Sequence, residues 1–286
     1  MDDPIVTITI VHYNKLEKLK NTIKCIENNT EVPYKIKIYN NGHLNNKIDN
    51  YLSHLDENGE IEIIYGNTNI GCSPARKKLF NNIDTPFIAS LDDDMYVDDA
   101  WFEKTKNIFN SNPQLGVIGI PFVHTDENVR SGGRNIKISR NVVRVSDINW
   151  TGIDDTKKYL HVDDVPAGSM VIRREVLDEM IWDDNYFIGF DDLDKGIQLM
   201  ESEWDAVMTT DISFTHDQTT RSDYQKTRKD FNKFHQSYCH FIEKWGYRLP
   251  IKEHFIYYYL FQLPNGAVSY LNDIRKKSGH IYRNNS

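Results

Sequence analysis

The sequence predicts an α/β protein built on a parallel, doubly wound sheet, with a helical C-terminal extension. Three observations carry that expectation. β-rich runs alternate with amphipathic segments through the first third of the chain. The fourth of these runs, residues 87–91, is apolar throughout, as suits a strand buried on both faces. Beyond residue 216 strand patterns give way to helical ones. Repeated β-α units close into a parallel sheet with right-handed crossovers, and ligands of such sheets bind beyond the carboxyl ends of the strands.

Residues 5–11 form the first β-rich run, and in residues 15–29 Leu16, Leu19, Ile23 and Ile26 fall on one helical face. Residues 34–39 alternate as a second strand and end in the turn signal Asn40-Asn41-Gly42. A short helix is expected at 44–55 and a third strand at 61–65. Gly71-Cys72-Ser73-Pro74 opens the next helix, with Pro74 at its first position, where the missing N–H is harmless. The fourth strand runs straight into Asp92-Asp93-Asp94, and Asp98 and Asp99 are placed to cap a helix beginning at Ala100 and Trp101. Further strands are expected at 116–123, 162–172 and 206–215. Residues 124–149, with Ser131-Gly132-Gly133 and two alternating stretches, read as a hairpin or a flap that closes over a ligand. A helix is expected from Asp191, and residues 220–245 and parts of 251–277 also read as helical. The organisation is a domain over 1–218, with halves 1–123 and 124–218, followed by an extension over 219–286.

The 286 residues, 39% of them hydrophobic, suffice for one large domain with its own core. A net charge of −8 argues against a nucleic-acid partner, because phosphate binding needs a basic surface. Cys25, Cys72 and Cys239 are scattered and odd in number, which gives neither a zinc spacing nor a disulfide framework and fits a reducing compartment. No basic leader is visible, and no stretch reaches the ~20 apolar residues of a membrane span. A cytoplasmic protein, at most peripheral at the inner face of a membrane, is expected.

Asp92-Asp93-Asp94 directly after an apolar strand is the strongest chemical signal. Adjacent carboxylates repel one another, so a fold accepts them where something positive sits. A hard divalent cation takes one or two carboxylates together with substrate phosphates and waters. The alternative is a solvated acidic turn.

The segment from Gly71 to Trp101, GCSPARKKLFNNIDTPFIASLDDDMYVDDAW, resembles family 2 glycosyltransferases of the GT-A fold. In that family a Gly-containing helix start, an Ala-Arg pair and an apolar strand lead into an Asp-x-Asp. ITIVHYNK is similar to the family's first strand, and the resemblance spans residues 5–216. It implies a Rossmann-like, mostly parallel GT-A sheet and metal-dependent, inverting transfer of a sugar from a nucleotide-sugar donor. On the same resemblance His12, Tyr13 and Asn40 cradle the base and ribose, although the family usually has Asp where Asn40 stands. Arg76 reaches the base, ribose or phosphate; Asp92 and Asp93 meet the nucleotide sugar. Asp92 and Asp94 hold Mn2+ or Mg2+, with His216 as a third ligand, an imidazole that suits Mn2+ better than Mg2+.

FIGFDDLDKG, residues 187–196, resembles the family's Glu-Asp motif, with Asp191 in the Glu place and Asp192 inheriting the role of base. Helix capping by Asp191, Asp192 or Asp194 is the alternative. VDDVPAGSM resembles a segment lying against the donor sugar, where the small residues Gly168 and Ser169 permit close approach; Asp163 and Asp164 read as surface charges. UDP is the nucleotide that family habit favours. The acceptor stays open among a glycan, a lipid-linked saccharide, a polyol-phosphate polymer and a protein.

Two rival functions compete. A nucleotidyltransferase needs a Gly-rich phosphate loop after its first strand, and His12-Tyr13-Asn14-Lys15-Leu16 contains no glycine. A non-catalytic nucleotide-sugar or glycan-binding protein has no need of a base such as Asp192. In the extension, HFIYYYLFQL at 254–263 and Arg275-Lys276-Lys277 read as a packed helix, a homo-oligomer contact or a weak membrane-surface contact.

Overall fold

The computed structural model describes residues 3–42, 45–57, 59, 61–125, 129–154, 156–218, 230–254 and 256. The aromatic run from 257 onwards, the basic triplet at 275–277 and the start of the helix expected at 220–245, up to residue 229, lie outside the described residues.

The first half follows the β-α alternation closely: β1 (Val6–His12), α1 (Leu16–Asn29), β2 (Tyr34–Asn40), α2 (Asn46–Glu57), β3 (Glu62–Tyr65), α3 (Cys72–Phe80) and β4 (Phe87–Asp92). The second half adds β5 (Met95–Tyr96), α4 (Trp101–Ser111), β6 (Leu115–Gly119), β7 (Phe122–His124), β8 (Arg130–Ser131), β9 (Arg134–Ser139), β10 (Val142–Asp147), β11 (Tyr159–Val162), β12 (Ser169–Arg173), α5 (Arg174–Glu179), α6 (Asp191–Met200), β13 (Asp205–Thr209) and β14 (Phe214–His216). The extension contributes α7 (Phe231–Trp245) and the single turn α8 (Ile251–His254).

Eight strands form the central sheet in the order β11-β13-β6-β12-β4-β1-β2-β3. β3, β2, β1 and β4 are parallel, and β12 runs antiparallel between β4 and β6. Every residue of β1 is buried, as expected of a strand covered on both faces. The chain steps from β1 to β2 to β3 and returns to place β4 on the other side of β1. The gap between β1 and β4 is therefore the topological switch point, where such sheets bind ligands.

All three strands expected in the second half break in two: the run at 162–172 does so around Pro166-Ala167-Gly168, leaving β11, which ends at Val162, and β12 from Ser169. Pro121 has no N–H to give a ladder, and the run at 116–123 divides there into β6 of the main sheet and β7 of a second sheet. The run at 206–215 likewise divides into β13 and β14. The second sheet has the order β5-β14-β7-β8, and its register pairs Met95 with His216. The capping reading of Asp98 and Asp99 is corrected: Ala100, in a left-handed conformation (φ 49°), is the N-cap of α4 and makes no side-chain cap, and Asp98 bonds the Asp99 N–H instead. Pro74 stands in the first turn of α3, two residues after Cys72.

The stretch at 124–149 contains the hairpin β9–β10, turned through Arg140 and Asn141, both at positive φ. Its inner residues Ile136 and Val143 share a core with Tyr186 and α6's Leu193 and Ile197, and with Tyr238 and Phe241 of α7. The hairpin is thus docked against α6 and α7 together. Among the described residues no helix is long and apolar enough to cross a membrane.

Candidate active site

The carboxyl ends of β1, β2 and β4 lie side by side, with His12 opposite Asn40 and Val11 opposite Asp92 in the ladders. The three acids after β4 point to three different partners. Arg76 of α3 donates to Asp92 through its terminal nitrogen and to Ser90 Oγ through Nε (3.2 Å). Asp93 accepts from His12 Nδ1 (2.8 Å) and from the Tyr13 N–H (3.0 Å). Asp94 accepts from Lys15 Nζ at 2.6 Å, with Lys18 Nζ at 3.9 Å.

His216 reaches the same acid from the second sheet. Because Met95 pairs with His216 and the Asp217 N–H bonds the Asp94 carbonyl, His216 Nε2 comes to 3.4 Å from Asp94 Oδ1. Gln218 lies 3.4 Å from the other ring nitrogen and orients the imidazole. Burial alone would raise the Asp94 carboxyl, but His216 and Lys15 outweigh it and hold it below its ordinary range. One carboxylate and one imidazole, completed by diphosphate oxygens and water, form a donor set that fits Mn2+. The Asp92 carboxylate pairs with Arg76. Among the described residues no three His, Cys, Asp or Glu side chains converge as a ready-made cation cage.

Several residues read as ligand contacts are held inside the protein. His12 is fully buried, and its Nε2 has no hydrogen-bond partner among the described residues. Asn40 is buried, donating to Asp49 Oδ1 (3.3 Å) and accepting from the Gly42 N–H (3.3 Å). Arg76 is buried on Asp92, and Ser169 is buried with its hydroxyl on the Ile120 carbonyl. Gly168 permits a close approach, but to a carboxylate: a Cβ there would overlap the Asp92 side chain. Tyr13 is half-buried. Of these residues, His12, the Tyr13 N–H, Arg76 and Gly168 touch the acidic turn itself.

The second acidic motif stands across Arg76 from the first. Gly189 and Phe190 both take positive φ (72° and 69°), a strained entrance that delivers Asp191 and Asp192 to the first turn of α6. Carboxylates there are favoured by the helix dipole. Arg76 feels the charges of Asp92, Asp191 and Asp192 together, and they hold it protonated despite its burial. Asp192 accepts from the Ala167 N–H (3.1 Å), and Lys195 Nζ and an Arg134 terminal nitrogen each lie 3.4 Å away. Those cations outweigh burial and keep the Asp192 carboxyl below its ordinary value.

Behind Asp192 is a buried group that sequence reasoning passed over. Asp164, read as a surface charge, is fully buried, bonded by Arg134 Nε (2.7 Å) and Lys195 Nζ (3.1 Å). Its only sequence signal is its place just before Val165-Pro166. Asp194 is not a cap either; it accepts from Tyr186 OH (3.1 Å), Gln198 Nε2 (2.7 Å), Trp245 Nε1 (2.7 Å) and Lys244.

An acidic turn at the switch point, an imidazole beside it and a second acidic pair across an arginine suit transfer from a phosphorylated donor. The model for Glycosyl transferase family 2 matches residues 7–181. The chain belongs to this family. Among solved structures, this chain is similar to "GalNAc-T7 with UDP, GalNAc and Mn2+", with a TM-score of 0.63 and 16% identity. The match covers 95% of this chain and 54% of the other, so the chain spans about half the length of that relative. At such identity the likeness shows the GT-A fold. No curated protein matches the chain.

Proposed function

We propose that this family 2 glycosyltransferase moves a sugar from a UDP-linked donor to an acceptor hydroxyl, with inversion and with a divalent cation at Asp94 and His216. The observation that supports this best is the meeting of the two acidic motifs at Ala167-Gly168 beside the switch point of the sheet: Asp192 accepts from the Ala167 N–H (3.1 Å) and the Asp92 N–H bonds the Gly168 carbonyl (3.1 Å). Bound with the donor, the cation supplies Lewis-acid stabilisation of the charge that grows on the leaving diphosphate. Tyr13, the residue after the carboxyl end of β1, is the proposed contact for the nucleoside. Arg76 fixes Asp92 for the ribose and diphosphate side of the donor. Asp192, ionised by Lys195 and Arg134, takes the proton of the acceptor hydroxyl as its oxygen bonds to the anomeric carbon and the bond to the diphosphate breaks. One base and one displacement invert the centre.

The test is the melting temperature with UDP, GDP and CDP, each with and without Mn2+. A ligand at 100 times its dissociation constant stabilises the native state by about 2.7 kcal/mol. UDP is expected to raise the melt only with Mn2+, and Asp94→Ala to abolish the shift. Asp192→Asn is expected to keep the shift and lose turnover of UDP-sugar. If no nucleotide moves the melt under any condition, the donor-site reading falls and a binding protein that keeps the fold becomes the better account.

A further inference from the structure

The donor site carries its own cations. Lys15 Nζ lies 2.6 Å from Asp94 Oδ2 and 3.5 Å from Asp93 Oδ1, and Lys18 Nζ lies 3.4 Å from Asp217 Oδ1 while donating to the Asp217 carbonyl. Asp92, Asp93, Asp94 and Asp217 therefore face three permanent cations, Arg76, Lys15 and Lys18. The lysines also break a local rule. Lys15 is the N-cap of α1 and Lys18 stands in its first turn, the end where the helix dipole disfavours positive charge. Neither caps a backbone N–H, and a local rule broken beside a site marks function more often than accident.

The three cations differ in how easily they can leave. Arg76 is buried and bonded to Ser90 as well as Asp92, so it is fixed in place. Lys15 holds its acids through a single ammonium on a flexible four-carbon stem, and its side chain is 15% exposed against 4% for Arg76. A divalent cation on Asp94 and His216 would compete with that ammonium for one carboxylate, like charge against like. A nucleoside diphosphate removes the conflict, because its oxygens give the displaced ammonium a charge-assisted partner of at least equal strength.

We propose that Lys15 and the divalent cation are alternative partners of Asp94, and that Lys15 passes to the donor diphosphate when the cation takes its place. This rests on the donor-site reading above and deepens it. The consequence is a reciprocal coupling: nucleotide tightens the cation and the cation tightens the nucleotide by the same factor. The cation alone binds weakly because it must displace Lys15 from its short contact with Asp94 and leave it only the longer one, 3.5 Å, to Asp93.

The experiment measures free Mn2+ by electron paramagnetic resonance during titration, with and without UDP, for the full chain and for Lys15→Met. In the unaltered protein UDP is expected to tighten Mn2+ by roughly 10- to 100-fold. In Lys15→Met, Mn2+ alone binds on the order of 10-fold more tightly than in the unaltered protein, UDP binds more weakly, and the coupling shrinks towards one. Lys15→Gln, the second charge-free variant, behaves in the same way, and Lys15→Arg keeps the coupling. If the charge-free variants bind Mn2+ alone no better than the unaltered protein and show the same coupling to UDP, Lys15 is not the exchanging cation, although the donor site stands. If the unaltered protein shows no UDP-dependent Mn2+ binding, the donor-site reading and this inference fall together.

Discussion

At the residue scale, the two acids that open α6 are neighbours in sequence and opposites in charge behaviour. Burial, reinforced by the charge of Asp192, pushes the Asp191 carboxyl up to about 6 against the pull of Arg76 and Lys195. Its ordinary value is 3.8, so between the two the folded protein binds a proton that the unfolded chain does not. The stability this group contributes is complete below its ordinary value and is lost as pH rises through about 6, a change on the order of 3 kcal/mol. Asp191→Asn, neutral at every pH, escapes that loss. Its melting temperature relative to the unaltered protein is expected to climb between pH 4 and pH 8, whatever happens to its activity. A flat difference across that range would mean Asp191 is charged and satisfied at neutral pH. At this scale the sequence made the acids legible, because an apolar strand or a turn runs straight into them. It hid Arg134 and Lys15, which reach them from distant segments; His216 is expected only through the family resemblance, and it is the folded register of β5 with β14 that puts it beside Asp94.

At the element scale, α6 owes its position to α7. Phe190, in its left-handed conformation, stacks on Tyr238 with ring centroids 5.1 Å apart and packs on Phe234 and Phe241. Such a backbone state costs about 1–3 kcal/mol in a non-glycine residue and survives only where surroundings enforce it. α7 adds polar ties: His240 Nε2 and Lys244 Nζ meet Asp183 at 2.9 and 3.0 Å, and together they hold its carboxyl well below the ordinary range. Phe241→Ala is expected to cost about 3–5 kcal/mol of stability. It should also lower kcat more than it changes KM for the donor, because it loosens the Asp192 end and leaves the Asp94 end untouched. Denaturant unfolding and steady-state kinetics check both halves; a large stability loss with unchanged kcat would show that Phe190 holds its conformation without α7. The amphipathic pattern of α7 is visible in the sequence, and so are most strands and helices of the first half. What periodicity cannot show is where a run changes sheets, as at Pro121, or which neighbour an amphipathic face will meet.

At the scale of the whole molecule, the sequence suggests a boundary near residue 218, where helical patterns replace the alternation. The packing crosses that boundary. Ile136, Val143, Tyr186, Leu193 and Ile197 share one core with Tyr238 and Phe241, and Asp194 is buried among Tyr186, Lys244 and Trp245. Removing residues 219–286 would uncover five apolar side chains from the catalytic half, each worth roughly 1.5–3 kcal/mol when fully buried. It would also strip a buried carboxylate of a lysine and an indole N–H. Their sum is comparable with the roughly 5–15 kcal/mol that stabilises a typical domain. We therefore expect the full chain to unfold in one calorimetric transition. A chain ending at residue 218 should bind a hydrophobic dye, melt without cooperativity and lose the UDP-dependent shift. Two resolved transitions in the full chain, or a truncated chain that melts as the full one does, would make the extension an independent domain. The hairpin β9–β10 carries Arg134 from this shared core to Asp192. The extension then belongs to the active site as a support, one step removed from the chemistry.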